Sequence, residues 1–303
     1  MGQGRTTPRT LRKADRCAPG RAGCFRLGLW LVAVALTALT LAACGDDDDG
    51  DGGSGGGGGA TSGQAAELDL HTDGQLTIGA EFPVKGFVEL PIDDPKGFEV
   101  DLADAIAKEL GVPKVQWKNT PFSGLFSPAP KDFDMAINEI SITDERSKVV
   151  DFSAPYFDAN QGFLIKKGSP ADGVQSIEEM KGLRFGVQAT TTGADYVKET
   201  IQPDEEPREF STLGAATQAL VNGQVDAFVM DVAIGAEIIK ERGEDVDMTG
   251  QFKTDEHYGI LFEKGNPLRQ QVNEALGEIK ADGTLERLQA KWFPGTEDLP
   301  SLQ

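Results

Sequence analysis

From Leu76 onward, short apolar runs alternate with longer segments in which apolar residues recur every three or four positions. The short runs predict strands, and the periodic segments predict helices. In the first half of the chain these predicted elements occupy 76–79, 102–110, 115–117 and 135–137. This alternation indicates an α/β fold in which most strands pair in parallel.

A second series of the same kind begins near Phe163. Its predicted strands and helices occupy 185–187, 193–200, 214–221, 225–230, 266–280 and 285–293. Two similar α/β series predict two lobes with a cleft between them, joined near Gln161 and again near Tyr258.

Residues 1–43 have the pattern of a secretory signal. Seven basic residues precede an apolar stretch from Leu27 to Leu41, which is followed by two alanines and Cys44. A basic region, an apolar core too short to span a bilayer comfortably and small residues at its end predict export. The same ending resembles a bacterial lipobox, which implies that Cys44 is acylated and anchors the chain to the outer face of the cell membrane. The alternative is an uncleaved N-terminal anchor in which Cys44 is incidental.

Residues 44–67 consist mainly of Gly, Asp and Ser and contain almost no apolar side chains. Because such a segment cannot bury a core, its composition predicts a disordered tether behind Cys44. A flexible tether of this length spans about 25 Å between its ends.

The charge balance argues against several classes of function. The whole chain has 29 basic and 49 acidic residues, and the predicted signal contains seven of the basic and one of the acidic ones. The mature chain would therefore keep 22 basic and 48 acidic residues, a net charge of −26. Such a charge argues against binding nucleic acid or docking flat on anionic lipid.

Cysteine and histidine add little chemistry to the exported part. Cys17 and Cys24 lie in the predicted signal, so the mature chain would have no internal disulfide and would depend on an apolar core. His71 and His257 are the only histidines and have no cysteine nearby. We therefore expect no metal site and no cofactor.

Several short motifs occur in a characteristic order. They are 97–103 (GFEVDLA), 141–146 (SITDER), 151–156 (DFSAPY), 225–227 (VDA) with Asp231, 258–260 (YGI), 281–284 (ADGT) and 291–293 (KWF). In this order they resemble the bacterial extracellular solute-binding proteins of family 3, the polar-amino-acid receptors of ABC importers. The resemblance covers roughly residues 76–293.

The resemblance implies a type II periplasmic-binding-protein fold with two lobes. Each lobe would be a mixed sheet flanked by helices, and two crossover strands would form the hinge. Lobe 1 would comprise 68–161 and 258–303, and lobe 2 would comprise 162–257.

Two charged residues match the family's ligand clamp. Arg146 matches the arginine that binds the ligand α-carboxylate, and a planar guanidinium suits a carboxylate because it donates two parallel hydrogen bonds. Asp231 matches the aspartate that pairs with the α-ammonium. The alternatives are a solvated helix arginine for Arg146 and a helix N-cap for Asp231.

The other implied ligand-binding residues surround this clamp. They are Glu81, Phe122, Asn138, Glu139, Ser141, Gln188, Thr191 and Thr192. For the two threonines the alternative is helix capping alone, and for Phe122 it is an ordinary core position.

The chain also departs from the family pattern. An aromatic residue is common where Val84 stands, so one apolar wall would be missing or replaced by Phe82. Pro128 and Pro130 predict that the helix after Phe122 is shortened or broken. Glu81 stands where Asp or other residues are usual, and Glu139 stands where a small residue is usual.

These two glutamates favour a basic ligand. If Arg146 and Asp231 neutralise the ligand's two termini, Glu81 and Glu139 remain as surplus negative charge, which is costly to bury without a partner. A lysine, arginine or ornithine ligand would compensate that charge. Glutamine stays open if either glutamate points outward or pairs with a protein cation such as Lys85.

The implied mechanism is hinge closure around the ligand by a monomer, which then delivers it to an ABC permease and its ATPase subunit. This needs no bond chemistry, so we expect no enzyme activity. The alternative is an extracytoplasmic dehydratase of the cyclohexadienyl or arogenate type, which shares the fold and would use Glu139 as an acid–base group.

Overall fold

The computed structural model describes residues 68–293 and 299–302. The strands of this part are Gln75–Ala80 (β1), Lys114–Asn119 (β2), Met135–Ala136 (β3), Val150–Phe152 (β4), Phe157–Lys166 (β5), Phe185–Gln188 (β6), Arg208–Phe210 (β7), Ala227–Asp231 (β8), Val246–Tyr258 (β9) and Leu261–Glu263 (β10). The helices are Phe98–Glu109 (α1), Phe122–Leu125 (α2), Ile177–Met180 (α3), Thr192–Tyr196 (α4), Leu213–Val221 (α5), Val232–Arg242 (α6), Leu268–Ala281 (α7) and Thr284–Trp292 (α8). A 3₁₀ turn at Arg146–Lys148 and a π-helical turn at Val197–Ile201 complete the set.

The first sheet has the strand order β2-β1-β3-β10-β4. β1 pairs in parallel with β2 and β3, and β10 is antiparallel to β3 and β4. Helix α1 packs on this sheet because Leu102 and Ile106 lie one turn apart on its buried face, in the same core as Leu76 and Ile78 of β1. Burial of each such side chain contributes about 1.5–3 kcal/mol to stability.

The second sheet has the strand order β7-β6-β8-β5-β9. β6 pairs in parallel with β7 and β8, whereas β5 is antiparallel to β8 and β9. Successive residues of a strand point to opposite faces, so Phe163 packs in one core and Leu164 in another, with Val229 and Phe228 of β8 beside them respectively. Both faces of this sheet are therefore covered.

Strands β5 and β9 connect the two sheets. They pair from Phe157 with Tyr258 at one end to Lys166 with Val246 at the other. Phe157 and Tyr258 pack in the core of the first sheet, while Phe163 lies in a core of the second. These are the two crossover strands that the resemblance implies.

The predicted α/β class, with two mixed sheets flanked by helices, is confirmed. The helix after Phe122 is short, as the prolines predict, since α2 ends at Leu125. The helix predicted over 193–200 is not a single α-helix, because α4 ends at Tyr196 and a π-helical turn continues it. The lobe boundaries stay a prediction.

The predictions for residues 1–67 (the signal, Cys44 and the tether) lie outside the described residues. Within the described part of the chain, no helix has both the length and the apolar character needed to cross a bilayer.

Candidate functional site

The carboxyl ends of strands from both sheets meet at one cavity. Glu81 follows β1, Glu139 follows β3 by three residues, Gln188 is the last residue of β6, and Asp231 is the last residue of β8. In α/β sheets, ligands bind beyond the carboxyl ends of parallel strands. The topology therefore gathers these polar side chains in the position where a ligand site is expected.

All ten residues predicted from the resemblance line this cavity. The lining consists of Glu81, Val84, Phe122, Asn138, Glu139, Ser141, Arg146, Gln188, Thr191, Thr192, Leu213, Asp231 and Ile234. The space between them is about 390 Å³, part of it open to solvent.

Arg146 is oriented by backbone carbonyls on both sides of the cavity. Its Nη1 donates to Ser141 O at 2.7 Å, and its Nη2 donates to Thr190 O at 3.0 Å. The guanidinium also lies over the rings of Phe122 and Phe126, with Cζ 5.5 Å and 4.7 Å from their centroids. A guanidinium has five N–H donors, so donors remain for a carboxylate ligand.

Thr190 has an unusual backbone conformation beside this arginine. Its φ is 66°, in the left-handed region that a β-branched residue rarely adopts. This conformation accompanies the hydrogen bond from Arg146 Nη2 to its carbonyl oxygen. Such strain is concentrated at binding and catalytic sites.

Asp231 is surrounded by polar groups of β5 and β9. Gln161 Nε2 donates to Asp231 Oδ1 at 2.5 Å and to Glu256 Oε1 at 3.0 Å. Burial, and then the negative charge of Glu256, raise the pKa of Asp231 to about 7. Although Asp231 stands at the N-cap position of α6, its side chain makes no capping hydrogen bond. The side chain therefore does not serve as a helix cap, and it lines the cavity.

Thr191 and Thr192 have different partners. Thr191 caps α4, since its Oγ1 accepts from Ala194 N–H at 3.1 Å. Thr192 Oγ1 donates to Glu256 Oε2 at 2.7 Å. The loop lies close to β8 because residue 193 is glycine: a Cβ there would be 2.4 Å from Val229 O.

Glu81 is held by donors of the protein. Its carboxylate accepts from Phe122 N–H at 3.0 Å, from Leu213 N–H at 3.2 Å and from Gln188 Nε2 at 3.2 Å. Lys85 pairs instead with Glu241, at 2.7 Å. Glu81 thus lines the cavity without the cationic partner that the sequence argument considered for it.

Glu139 has a left-handed backbone conformation, with φ of 46°. Its Oε2 accepts from Asn138 Nδ2 at 2.7 Å, and Asn138 Oδ1 in turn accepts from Glu81 N–H at 2.8 Å. Burial, then the negative charges of Glu99 and Asp231, raise the pKa of Glu139 well above its ordinary value.

The apolar wall differs from the sequence expectation. Val84, Phe122, Leu213 and Ile234 line the cavity, whereas Phe82 does not. Phe82 packs edge-on against the buried Trp117, with ring centroids 5.8 Å apart. The prediction that Phe82 replaces the missing aromatic is therefore wrong, because the Phe82 ring packs in the core of the first sheet.

Comparison with known proteins identifies the family. The model of the bacterial extracellular solute-binding proteins, family 3, matches residues 76–295. The chain belongs to this family.

Similar proteins are amino-acid-binding components of ABC transporters. The L-cystine-binding protein TcyJ of Escherichia coli (strain K12) is 31% identical over 230 residues, which cover 73% of this chain and 83% of TcyJ. The ABC transporter glutamine-binding protein GlnH of Bacillus subtilis (strain 168) is 31% identical over 265 residues, which cover 84% of this chain and 92% of GlnH. An ancestral arginine-binding protein bound to glutamine is 38% identical, with a TM-score of 0.68, and the match covers 74% of this chain and all of that one.

Family membership sets the coarse features of this chain. Its relatives are amino acid ABC substrate-binding proteins, and its fold is the type II periplasmic-binding-protein fold. A family of extracellular receptors for importers works outside the cytoplasm.

Some residues beside the cavity were missed by the sequence argument. Gln161 and Glu256 orient Asp231, and Glu99 accepts a hydrogen bond from the Glu139 N–H. Leu213 and Ile234, which line the cavity, begin α5 and follow the start of α6. Glu99 belongs to the motif 97–103 (GFEVDLA). An acidic residue among apolar ones could have indicated a buried, hydrogen-bonded carboxyl there.

Proposed function

We propose that this chain binds a polar L-amino acid in the cavity and delivers it to the permease and ATPase subunit of an ABC importer. The observation that supports this most is that Arg146 and Asp231 line one cavity. The Arg146 guanidinium has N–H donors beyond those bound to backbone carbonyls, and the Asp231 side chain makes no helix-capping hydrogen bond. The α-carboxylate of an amino acid would bind Arg146 by charge-assisted hydrogen bonds, and the α-ammonium would bind Asp231.

The proposed mechanism is closure of the two lobes around the ligand. Arg146 precedes β4 of the first sheet, and Asp231 ends β8 of the second. A ligand that bridges them interacts fully only when the lobes are closed, and this difference in affinity shifts the hinge equilibrium. The permease would recognise the closed shape.

The proposed ligand has a basic or amide side chain. Glu81, Glu139 and Asp231 line the cavity, and Arg146 is the cation among the lining residues. An additional carboxylate, as in glutamate, would face this acidic surface. A basic side chain is favoured, and an amide is accepted because the Glu81 carboxylate already has protein donors.

A thermal-shift series with L-arginine, L-glutamine and L-glutamate tests the ligand class. A ligand that binds the folded state raises the melting temperature by mass action. We expect a larger shift with arginine or glutamine than with glutamate. The largest shift with glutamate would overturn the charge argument.

The proposed location is the outer face of the cell membrane. A signal over 1–43 would be removed, a lipid on Cys44 would anchor the chain, and residues 44–67 would be the tether of a monomeric receptor. Stable anchoring needs more than one acyl chain. Cys44→Ala should move the protein from the membrane fraction to the soluble exported fraction without loss of ligand binding, and an unchanged membrane fraction would contradict the anchor.

The alternative function is a dehydratase, which the buried Glu139 carboxyl would serve as an acid–base group. We propose that the chain is not an enzyme, because Asp231 remains available as an amine clamp. The purified protein should leave prephenate and arogenate unchanged, and measurable turnover of either would favour the enzyme.

A further inference from the structure

Two buried carboxyl groups lie together at the cavity. Glu99 of α1 is fully buried, and Glu139 is 6% exposed. The Glu139 N–H donates to Glu99 Oε1 at 2.7 Å, and the Tyr156 hydroxyl donates to the same oxygen. Asn138 Nδ2 holds the other carboxyl by donating to Glu139 Oε2 at 2.7 Å.

One oxygen of each carboxyl is left over. Within the described residues, Glu99 Oε2 and Glu139 Oε1 are buried and have no hydrogen-bond donor. The hydrogen bond from the Glu139 N–H to Glu99 Oε1 brings the two carboxyl groups together, and each group shifts the pKa of the other. Two charged carboxylates would repel at this separation, whereas a proton on one carboxyl turns it into a donor to the other. A single proton held by the pair therefore leaves one buried charge instead of two and supplies a donor for a leftover oxygen.

We propose that Glu99 and Glu139 share one proton in the ligand-free site, and that an ammonium group of the ligand, bound beside Glu139 and Asp231, drives its release to solvent. The release step rests on the proposed amino-acid binding. The proton leaves as H⁺ to the buffer, and the ligand cation takes its place in compensating the buried charge.

The groups around the pair are mainly acidic. Asp231 acts on Glu139 from the second sheet, the Tyr156 hydroxyl donates to Glu99, and the Tyr258 hydroxyl lies near Glu139 and Asp231. Arg146 acts on Asp231 as the nearby cation. In this setting burial raises the pKa of Glu99 to about 7, and burial with the charges of Glu99 and Asp231 raises the pKa of Glu139.

The direction of the pH dependence follows from linkage. A nearby cation favours the ionised carboxylate, so ligand binding lowers the pKa of the pair and releases a proton. By reciprocity, affinity increases as pH rises through the ligand-free pKa values. One linked proton gives an increase of up to about tenfold per pH unit.

The backbone at Glu139 supports a dedicated role for this side chain. Its φ of 46° lies in the left-handed region, which is strained for a non-glycine residue and which glycine adopts without that strain. The hydrogen bonds to Asn138 and Glu99 offset it. These contacts hold Glu139 beside Glu99 in a strained backbone conformation.

Carbon NMR of the ligand-free protein, labelled at the glutamate side-chain carboxyl carbon, tests the shared proton without any ligand. Aspartate is silent in this experiment, so Asp231 does not interfere. We expect a protonated glutamate signal that persists at pH values well above the ordinary pKa of glutamate and disappears in Glu139→Gln. Glu109→Gln, an exposed position on the same helix as Glu99, should keep the signal. Absence of a protonated glutamate in the wild type would overturn the pair.

Calorimetry in buffers of different ionisation enthalpy tests the release. With L-arginine and L-glutamine as probes, the wild type should release more protons on binding than Glu139→Gln, and Glu109→Gln should match the wild type. Asp231 is common to all three proteins, so the difference isolates the pair. Equal release by wild type and Glu139→Gln would overturn the release step. If neither probe binds the wild type, the proposed function fails and the release step fails with it, while the NMR result still decides whether the proton is shared.

Discussion

The carboxylate of Glu81 accepts a hydrogen bond from the backbone N–H of Leu213, 3.2 Å away on the opposite side of the cleft. Glu81 follows β1 of the first sheet, and Leu213 begins α5, which packs on the second. Gln188 Nε2, at the end of β6, donates to the same carboxylate at 3.2 Å. The two sheets are therefore joined directly at the cavity by protein groups.

Glu81→Ala should favour the open form. The change leaves Leu213 N–H and the Gln188 amide without their acceptor, so the closed form loses interactions that the open form does not make. Small-angle X-ray scattering of the ligand-free protein should show a larger radius of gyration. Glu145→Ala, at an exposed position next to Arg146, is the control and should scatter like the wild type. Identical scattering from Glu81→Ala and wild type would show that this contact does not hold the lobes together.

Asp231→Asn should change how stability depends on pH. The pKa of Asp231 is about 7 in the folded state, above its ordinary value of 3.8, so the folded state binds more protons between these values. The contribution of this group to the free energy of unfolding therefore decreases as pH rises from about 4 to about 7, by up to about 1.4 kcal/mol per pH unit. Asparagine mimics the neutral acid and lacks this dependence.

Urea unfolding of the ligand-free proteins at several pH values measures this effect. The free-energy difference between Asp231→Asn and wild type should shift in favour of the variant as pH increases over that interval. Parallel curves for the two proteins would mean that the pKa of Asp231 is not raised.

Gly193→Ala should destabilise the fold and disturb the threonine loop. A Cβ at this position would lie 2.4 Å from the Val229 carbonyl oxygen, and a backbone atom of a central strand cannot easily move away. We expect a loss of about 1–3 kcal/mol, the usual effect of overpacking. Gly214→Ala is a matched control within α5, where a Cβ would meet nothing within 4 Å. It should stabilise by about 0.5–1 kcal/mol, as alanine does in a helix. Equal melting temperatures for the two variants would contradict the packing argument.

Much of the fold could be predicted from the sequence, because its elements have strong local signals. The apolar face of α1 and the alternating strands gave the α/β class, and motif order pointed to Arg146 and Asp231. The prediction that Phe82 could replace the missing aromatic was wrong because local sequence does not reveal that the Phe82 ring packs against Trp117 in the core. The hydrogen-bond partners of Glu81 could not be predicted either. One of them is the backbone N–H of Leu213, and a backbone donor has no signature in the sequence.

The proton-sharing pair could not be predicted from sequence for a similar reason. Glu99 and Glu139 lie 40 positions apart and meet only when α1 packs beside the end of β3. From the sequence, Glu81 and Glu139 are two unusual acidic residues, and we interpreted both as surplus negative charge. The structure gives each of them protein partners, so an amide side chain is accepted beside the favoured basic one.

Titration calorimetry of wild type and Arg146→Lys with L-arginine and L-glutamine tests the central claim, that an amino acid binds this cavity through its α-carboxylate. Lysine keeps the charge but cannot donate to Ser141 O, Thr190 O and a carboxylate in the fixed geometry of a guanidinium. We expect tight binding by the wild type to at least one of the two amino acids. We also expect a loss of about 10- to 100-fold in Arg146→Lys, the value of one charge-assisted hydrogen bond. Binding of equal affinity by both proteins, or no binding of either amino acid by the wild type, would contradict it.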